Sequence, residues 1–158
     1  MATTISGELS GTSNTTTTTM VLQAAGQSVS GTTLTDSDTF SLTLSASSTY
    51  EFAFMLQTTV SSGGMKIALD GTVGVTEVDY IISYFPTDSF GTIGYAQRTA
   101  LGDAQAVSTS TDSASMTWVF GTIVTSTSGT FKLRFAEKSA VSSVTVLKGS
   151  FLRLVKSA

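Results

Sequence analysis

Large apolar and small polar residues alternate with a period of two along most of the chain. In two successive runs of the C-terminal third, large side chains occupy every second position: Met116, Trp118, Phe120, then Phe131, Leu133, Phe135. Because neighbouring side chains of a β-strand point to opposite faces, this spacing predicts strands with one buried face. On this pattern Trp118 belongs to the core.

The same periodicity, interrupted by turn residues, predicts eight strands. They are Met20 to Ala24, Asp38 to Ser45, Tyr50 to Val60, Met65 to Leu69, Val73 to Phe85, Met116 to Thr125, Gly129 to Glu137 and Val141 to Val155. Residues 87–112 predict a long connection with one or two short strands. A change of phase predicts a bulge near Asp79, and Lys148-Gly149-Ser150 predicts a second one in the last strand.

No apolar stripe with helical spacing occurs along the chain, so the pattern predicts an all-β protein, an antiparallel β-sandwich or jelly roll. Residues 1–19 contain only two large apolar side chains besides Met1, namely Ile5 and Leu9. They predict a short extended N-terminal arm or a lone edge strand, ordered only where something receives it. Residues 20–158 then form a single jelly-roll domain. A strand from Tyr50 to Val60 that is apolar on both faces implies cover from the second sheet and a loop, or from a neighbouring subunit.

Composition changes this picture in one respect. Charged residues make up 12% of the 158 residues, about half the usual share, and Thr, Ser and Gly supply most of the polar surface. Short side chains lose little entropy on immobilisation, which favours packing into an assembly, although a Thr-rich β protein has the same composition. A net charge of −3 argues against binding to nucleic acid.

Basic residues crowd the C-terminal part of the chain from Lys132 to Lys156. Solvated positions of a hairpin explain them better than a docking face for an acidic partner. Met1 to Gly11 lacks the features of a signal peptide, and no apolar run approaches the roughly 20 residues of a membrane span. We therefore expect neither a nucleic acid nor a membrane as partner.

The chain contains no His and no Cys, which removes the common general bases, activated nucleophiles and zinc ligands. Glu51, Glu77 and Asp79 are the candidates for carboxylate chemistry, but solvated strand positions explain them better. The two carboxylates of Asp36-Ser37-Asp38 are too few for a calcium site, and a turn-capping role explains this segment better. We expect no catalytic residue, no cofactor, no metal and no enzymatic activity.

Five segments, in this order, resemble a jelly-roll domain of tailed-phage virion proteins that is akin to the trimeric C1q and TNF modules. They are Thr39-Phe-Ser-Leu-Thr-Leu-Ser-Ala-Ser-Ser-Thr-Tyr-Glu-Phe, Met65-Lys-Ile-Ala-Leu-Asp-Gly, Gly121-Thr-Ile-Val-Thr, Gly129-Thr-Phe-Lys-Leu-Arg-Phe-Ala and Val144-Thr-Val-Leu-Lys-Gly-Ser-Phe-Leu-Arg-Leu. The resemblance covers roughly three quarters of the chain, and it carries no catalytic residues to transfer.

The resemblance implies a homotrimer on the outside of a phage particle, made in the host cytoplasm and bound to the major capsid protein as a decoration (cement) protein. The alternative is the receptor-binding tip of a fibre, which recognises a host polysaccharide through exposed Tyr side chains. Because only a short arm precedes the domain, decoration is the favoured expectation. A bacterial carbohydrate-binding module ranks third.

Two sets of residues are candidates for contacts in such an assembly. Subunit-interface candidates are Phe52, Phe54, Met55, Tyr80, Ile82 and Tyr84, because interface cores favour aromatic residues and Met over charge. Burial within one subunit is an equally good explanation for each of them. Capsid-contact candidates are Ile5 and Leu9 of the arm.

Overall fold

The computed structural model describes residues 3–11, 14–61, 63–84, 93–108, 115–139 and 143–157, and only the backbone of residues 3–15 and 108. Within them the chain forms β-strands and no helix. The strands are β1 (Thr3–Gly11), β2 (Asn14–Leu22), β3 (Gln27–Ser30), β4 (Thr35–Leu44), β5 (Ser48–Val60), β6 (Met65–Gly71), β7 (Gly74–Tyr84), β8 (Gly94–Arg98), β9 (Gln105–Ser108), β10 (Ser115–Thr127), β11 (Gly129–Glu137), β12 (Ser143–Val146) and β13 (Phe151–Ser157).

The strands form two antiparallel sheets that enclose one core. The nine-stranded large sheet has the order β1-β2-β13-β5-β10-β7-β8, with β12 pairing both β5 and β3. The four-stranded small sheet has the order β4-β11-β6-β9. Between β4 and β12 the chain passes from one sheet to the other at every connection except that of β7 to β8. The predicted antiparallel β-sandwich is confirmed.

Aromatic rings fill the space between the sheets. Phe52 and Phe54 of β5 contact Phe131 of β11, with ring centroids 5.1 and 6.2 Å apart. Phe40 of β4 meets Phe54 edge to face at 5.8 Å. Such pairs contribute roughly 0.5–1.5 kcal/mol each beyond the burial of their area. Rings from three strands thus join the two sheets.

The inward rows of β5 and β11 agree with the sequence pattern. Tyr50 to Leu56 on β5 and Phe131 to Phe135 on β11 are buried at every second position. The long connection after β7 contains two short strands, β8 and β9, as predicted. Pro86, which follows β7, lies outside the described residues.

The inward row of β10 is the opposite of the predicted one. Thr117, Val119 and Ile123 are buried, whereas Trp118 is 38% and Phe120 45% exposed. The prediction that Trp118 is a core residue is therefore wrong, because the larger side chains of this strand point outward.

The reason lies on the neighbouring strands. Gly121 of β10 is in register with Phe52 on one side and Tyr80 on the other, and these two rings lie 6.2 Å apart. A Cβ on Gly121 would lie only 2.2 Å from the carbonyl oxygen of Asp79. The space beneath β10 is thus filled from β5 and β7, and only small or medium side chains fit on its inner row.

β1 and β2 pair antiparallel, and β2 continues the large sheet along β13 from Thr17 to Leu22. The boundary predicted after residue 19 falls inside β2. The segment is therefore two strands at the edge of the large sheet, and not the single edge strand that was one of its two predicted forms.

Two irregularities differ from prediction in position or kind. The bulge in β7 lies at Thr76, which is skipped in the register between Glu77 and Val75, and not near Asp79. Between β12 and β13 the chain leaves the sheet in a turn with Gly149 at φ 92° rather than in a bulge. Gly149 fits there because this left-handed conformation is strained for residues with a Cβ.

Candidate functional site

The outer side of the large sheet carries a continuous apolar surface across six adjacent strands. Two rows of cross-strand neighbours form it, each read in the order β2, β13, β5, β10, β7, β8. The rows are Leu22, Phe151, Met55, Trp118, Ser83, Tyr95 and Met20, Arg153, Ala53, Phe120, Ile81, Gln97. We call these two rows the apolar face. Only Ser83, Arg153 and Gln97 among them are polar.

Three aromatic side chains, Trp118, Phe120 and Phe151, lie in the middle of the apolar face, and we call them the aromatic centre. The Trp118 indole and the Phe151 ring lie edge to face with centroids 6.3 Å apart, above Met55. Tyr95 on the edge strand β8 is 67% exposed. The largest apolar patch on a soluble monomer typically covers about 300–600 Å² and is often functional. The apolar face is therefore the candidate interaction surface of the described residues.

One charged side chain, Arg153, lies inside the apolar face, and acidic side chains lie beside it. Arg153 of β13 is exposed and lies between Phe151 and Val155 along its strand, with Met20 and Ala53 as cross-strand neighbours. The ion pairs within the described part of the chain involve Lys132 and Arg134, and none involves Arg153.

The acidic side chains beside the apolar face lie on β7 and β5. Asp79 is exposed, and Nε2 of Gln97 donates to both its carboxylate oxygens, at 3.0 and 3.3 Å. Glu77 precedes it on the same side of the strand and is also exposed. Glu51 on β5 lies across Thr122 from Asp79, and it too is exposed.

The outer side of the small sheet has the opposite chemistry. We call the side chains of Asp36, Lys66, Asp70, Lys132 and Arg134 the charged face. Lys132 Nζ lies 2.6 Å from Asp36 Oδ2, and the Arg134 guanidinium bridges Asp36 at 3.1 Å and Asp70 at 2.7 Å. The same guanidinium donates to the Leu34 carbonyl at 2.8 Å. Two of the crowded basic residues are thus ion-paired within the chain.

Two ionisable groups of the sandwich have shifted pKa values. Burial raises the pKa of Asp70, but the hydrogen bond from the Gly71 N–H and the Arg134 guanidinium more than offset it, so the pKa lies below its ordinary value. Burial raises the pKa of Tyr80 to about 12, opposed by Arg98 and reinforced by Asp103. Tyr80 donates to the Ala100 carbonyl at 3.3 Å and has a structural role.

The six subunit-interface candidates divide into two groups. Four are at most 3% exposed and lie in the core between the sheets, namely Phe52, Phe54, Tyr80 and Ile82. These four agree with the alternative of burial within one subunit, since a core side chain offers no surface to another copy. Met55 and Tyr84 are partly exposed, and Met55 belongs to the apolar face. For these two, a place at a subunit interface stays a prediction.

The capsid-contact candidates Ile5 and Leu9 lie in β1, where they are in register with Met20 and Thr16. Their side chains are outside the described part of the structure. A contact with a capsid stays a prediction for both.

The candidates for carboxylate and metal chemistry are dispersed over the surface. Within the described residues no three His, Cys, Asp or Glu side chains are grouped as metal ligands. The segment Asp36-Ser37-Asp38 caps the backbone through the Ser37 hydroxyl, which accepts from the N–H groups of Thr39 and Phe40 at 3.3 and 3.1 Å. The Asp36 carboxylate is instead ion-paired with Lys132 and Arg134.

The sequence pattern missed the aromatic centre of the apolar face, because it assigned Trp118 to the core. One signal for it was present in the chain. Ala53 and Met55 make the second side of β5 apolar, and both belong to the apolar face. Phe151, whose ring meets Trp118, is partly buried and could be recognised only once β13 was known to pair with β5.

No family model matches the chain, and no curated protein matches its sequence. The described residues include no helix that could span a membrane.

Proposed function

We propose that the protein is a structural virion protein that assembles with itself through the apolar face, as a homotrimer of the capsid-decoration (cement) type. The observation that carries this proposal is the uncovered apolar face itself. Six strands of one sheet expose Trp, Phe, Tyr, Met and Leu side chains, a composition that distinguishes interface cores from ordinary protein surface.

The size of the apolar face fits an interface centre. At a strand spacing of about 4.8 Å, six strands span about 24 Å, and two rows of side chains add about 14 Å in the other direction. The resulting area of about 340 Å² is below the roughly 800 Å² that each partner buries in a standard interface. The polar rim and the strand edges would supply the rest.

The alternation of successive strands between the two sheets is in keeping with the jelly-roll class that the resemblance implies. A trimer of such domains at a threefold junction of a capsid binds several capsid subunits at once. Its modest contacts then combine through effective concentration, so the shell is clamped without any chemical reaction. The major capsid protein is the partner that this proposal requires, and the virion surface is its location.

Mass measurement in solution tests the self-association. We expect the purified chain to sediment as a trimer at micromolar concentration. Phe120→Lys places a charge in the apolar face and should yield a folded monomer, because a buried unpaired charge is costly. The matched control is Thr43→Lys, which places the same charge at an exposed position of β4 in the small sheet. A wild-type monomer, or equal masses of both variants, would contradict the proposal.

Binding to capsids tests the second step. Capsids stripped of surface proteins should rebind the trimer to saturation, at a stoichiometry set by the threefold positions of the lattice. Phe120→Lys should bind far more weakly than Thr43→Lys, since a monomer loses the gain from multiple contacts. Absence of saturable binding by a proven trimer would reject the cement role alone.

Recognition of a host polysaccharide is the second candidate, and the exposed aromatic side chains favour it. Trp118 and Tyr95 flank the small Ser83 on the apolar face, and exposed rings of this kind stack on the apolar faces of sugars. A glycan array with the purified protein separates the two functions. Saturable binding to one class of glycan that is lost in Trp118→Ala and kept in Thr43→Lys would favour the receptor-binding tip over cement.

A further inference from the structure

The strands at the edges of the two sheets differ in how their free edges are protected. A free edge presents unpaired backbone N–H and C=O groups, and proteins usually blunt it with a short strand, charged residues or a bulge. Among the described edge strands, β3, β8 and β9 are only four, five and four residues long. β4 is longer, but it contains Asp36 and Asp38, and its register with β11 is interrupted. These edges are therefore poor sites for a further strand.

β1 lacks each of these protections. It runs for nine residues, and its register with β2 is continuous from Thr3 opposite Leu22 to Gly11 opposite Asn14. Glu8 is its only charged residue, and the strand contains no Pro. β1 is the last strand of the large sheet, and no described strand pairs with its second edge. A regular strand of this kind can accept a partner strand along its whole length.

The sequence of β1 is complementary to itself when a second copy runs antiparallel about Gly7. In that register Gly7 is opposite Gly7 of the second copy, and Ile5 of each copy is opposite Leu9 of the other. Glu8 is opposite Ser6, so the two glutamates are not opposite each other. Apolar residues at directly opposite positions stabilise a strand pair, whereas like charges at such positions destabilise it. The same register is also the one that pairs all nine residues of both strands.

We propose that β1 pairs antiparallel with β1 of a second copy, about a twofold axis at Gly7, and so links neighbouring trimers. Nine paired residues form roughly eight to ten backbone hydrogen bonds across such a contact. The contact is isologous and closes on itself, so it adds a twofold link to the threefold contact of the apolar face.

A strand edge buries little apolar surface, so this link is weak between trimers in dilute solution. On a shell, trimers at neighbouring threefold positions face each other across twofold axes and are held at high effective concentration. The link between trimers rests on the proposed function, whereas the pairing of two chains through β1 does not.

Disulfide trapping tests the pairing and its register, because the chain contains no Cys. Directly opposite residues of an antiparallel pair have Cα atoms about 4.5–5.5 Å apart, which lies within the range of disulfides. Gly7→Cys should therefore crosslink to the same residue of a second full-length chain under mild oxidation. Thr4→Cys and Ser10→Cys are the matched controls, since each lies six residues, or about 20 Å, from its own counterpart. Each control alone should crosslink at least about 10-fold more slowly than Gly7→Cys.

A mixture of the two controls provides a second, independent measurement. Thr4 is opposite Ser10 in the proposed register, so mixed Thr4→Cys and Ser10→Cys chains should crosslink rapidly to a heterodimer. Non-reducing electrophoresis and the mass of the crosslinked chains measure the rates, and circular dichroism shows that each variant is folded. Equal rates at all three single positions, as random collisions produce, would overturn the pairing. Absence of any crosslink, the result expected when a capsid segment occupies the edge of β1, would overturn it as well.

The Phe120→Lys background separates this inference from the proposed function. Gly7→Cys should still form a covalent dimer there, because β1 lies outside the aromatic centre. A wild-type monomer whose Gly7→Cys variant crosslinks would reject the trimer and leave the pairing of β1 standing. A wild-type trimer whose Gly7→Cys variant does not crosslink would reject the pairing alone.

Discussion

The two outer sides of the sandwich follow the same strand geometry and differ completely in chemistry. On the charged face, Arg134 and Lys132 pair with Asp36 and Asp70 of the same chain, so four of its five charges are satisfied internally. On the apolar face, the aromatic centre has no cover, and Arg153 has no carboxylate partner among the described residues. This difference within one sandwich is the reason for proposing the apolar face, rather than the charged face, as the interaction surface.

The comparison also shows what each face contributes to the free energy of unfolding. Exposed ion pairs contribute between zero and about 1 kcal/mol each, so the charged face adds little to stability and keeps this side soluble. The apolar face adds less than the core in a single copy, because Trp118 and Phe120 keep 38% and 45% of their surface in contact with water. Its free energy becomes available only when a second surface removes that water.

The largest expected effect separates the core from the apolar face. Phe54→Ala removes a fully buried ring between Phe40 and Phe131 and should lower the free energy of unfolding by about 3–5 kcal/mol. Phe120→Ala should change it by less than about 1 kcal/mol when measured at a concentration where the chain is monomeric. Urea unfolding of both variants measures the difference. A larger loss for Phe120→Ala would mean that its ring is part of the core.

A smaller effect is expected at Gly121 of β10, which lies between Phe52 of β5 and Tyr80 of β7. Gly121→Ala places a Cβ 2.2 Å from the Asp79 carbonyl oxygen and 2.6 Å from Tyr80 Cα, so the backbone of β7 or β10 has to move. Overpacking of this kind costs about 1–3 kcal/mol. Gly31→Ala in the turn after β3 meets no atom within 4 Å but has a φ of 87°, and it serves as a strain-only comparison. Thermal unfolding should show the larger loss for Gly121→Ala, and equal losses would contradict the close packing of β10.

The fold could be predicted from local patterns where only one row of a strand is apolar. On β11 the charged residues Lys132 and Arg134 can only belong to the outer row. The alternate residues Phe131, Leu133 and Phe135 are buried, as predicted. On β10 both rows contain large apolar residues, so the prediction placed the row with the larger side chains in the core. That prediction is wrong, because the row with Val119 and Ile123 is the buried one. The volume beneath Gly121 comes from Phe52 and Tyr80, which lie 69 and 41 positions away in sequence, and no local pattern reports it.

The candidate site shows the same limit more strongly. Met55 was recognised as a surface candidate because the second row of β5 is apolar, which is a local signal. Trp118, Phe151 and Tyr95 come together only through the pairing of β13, β5, β10, β7 and β8. Likewise Asp36, Asp70 and Arg134 are far apart in sequence and meet only in the folded small sheet, so their ion pairs had no signal in the spacing of charges.

A third prediction tests how much the charged face contributes. Arg134→Met should lower the free energy of unfolding by about 1 kcal/mol, since it removes two partly exposed ion pairs and the hydrogen bond to the Leu34 carbonyl. Lys66→Met on the same face is the control, because Lys66 takes part in no ion pair of the described residues. The difference between the two variants should shrink at high salt, which screens exposed charges. An unchanged oligomeric mass in both variants would show that self-association does not use the charged face.

The smallest expected effect is a pH dependence at Asp70. Its pKa lies below its ordinary value in the folded chain, so the carboxylate stabilises the fold above the unfolded pKa of about 3.9. This contribution is lost as the pH falls through the folded pKa. Asp70→Asn should therefore be less stable than wild type near neutral pH, by under about 1 kcal/mol, and the gap should close in acid.

Urea unfolding of wild type and Asp70→Asn at neutral and acid pH measures this gap. Repeating the pair in an Arg134→Met background isolates the contribution of the guanidinium. There the gap at neutral pH should be smaller, because the cation that lowers the pKa of Asp70 has been removed. A gap that widens as the pH falls would mean that burial, which raises the pKa of Asp70, outweighs the ion pair, and the charged face would then be held together by packing rather than by charge.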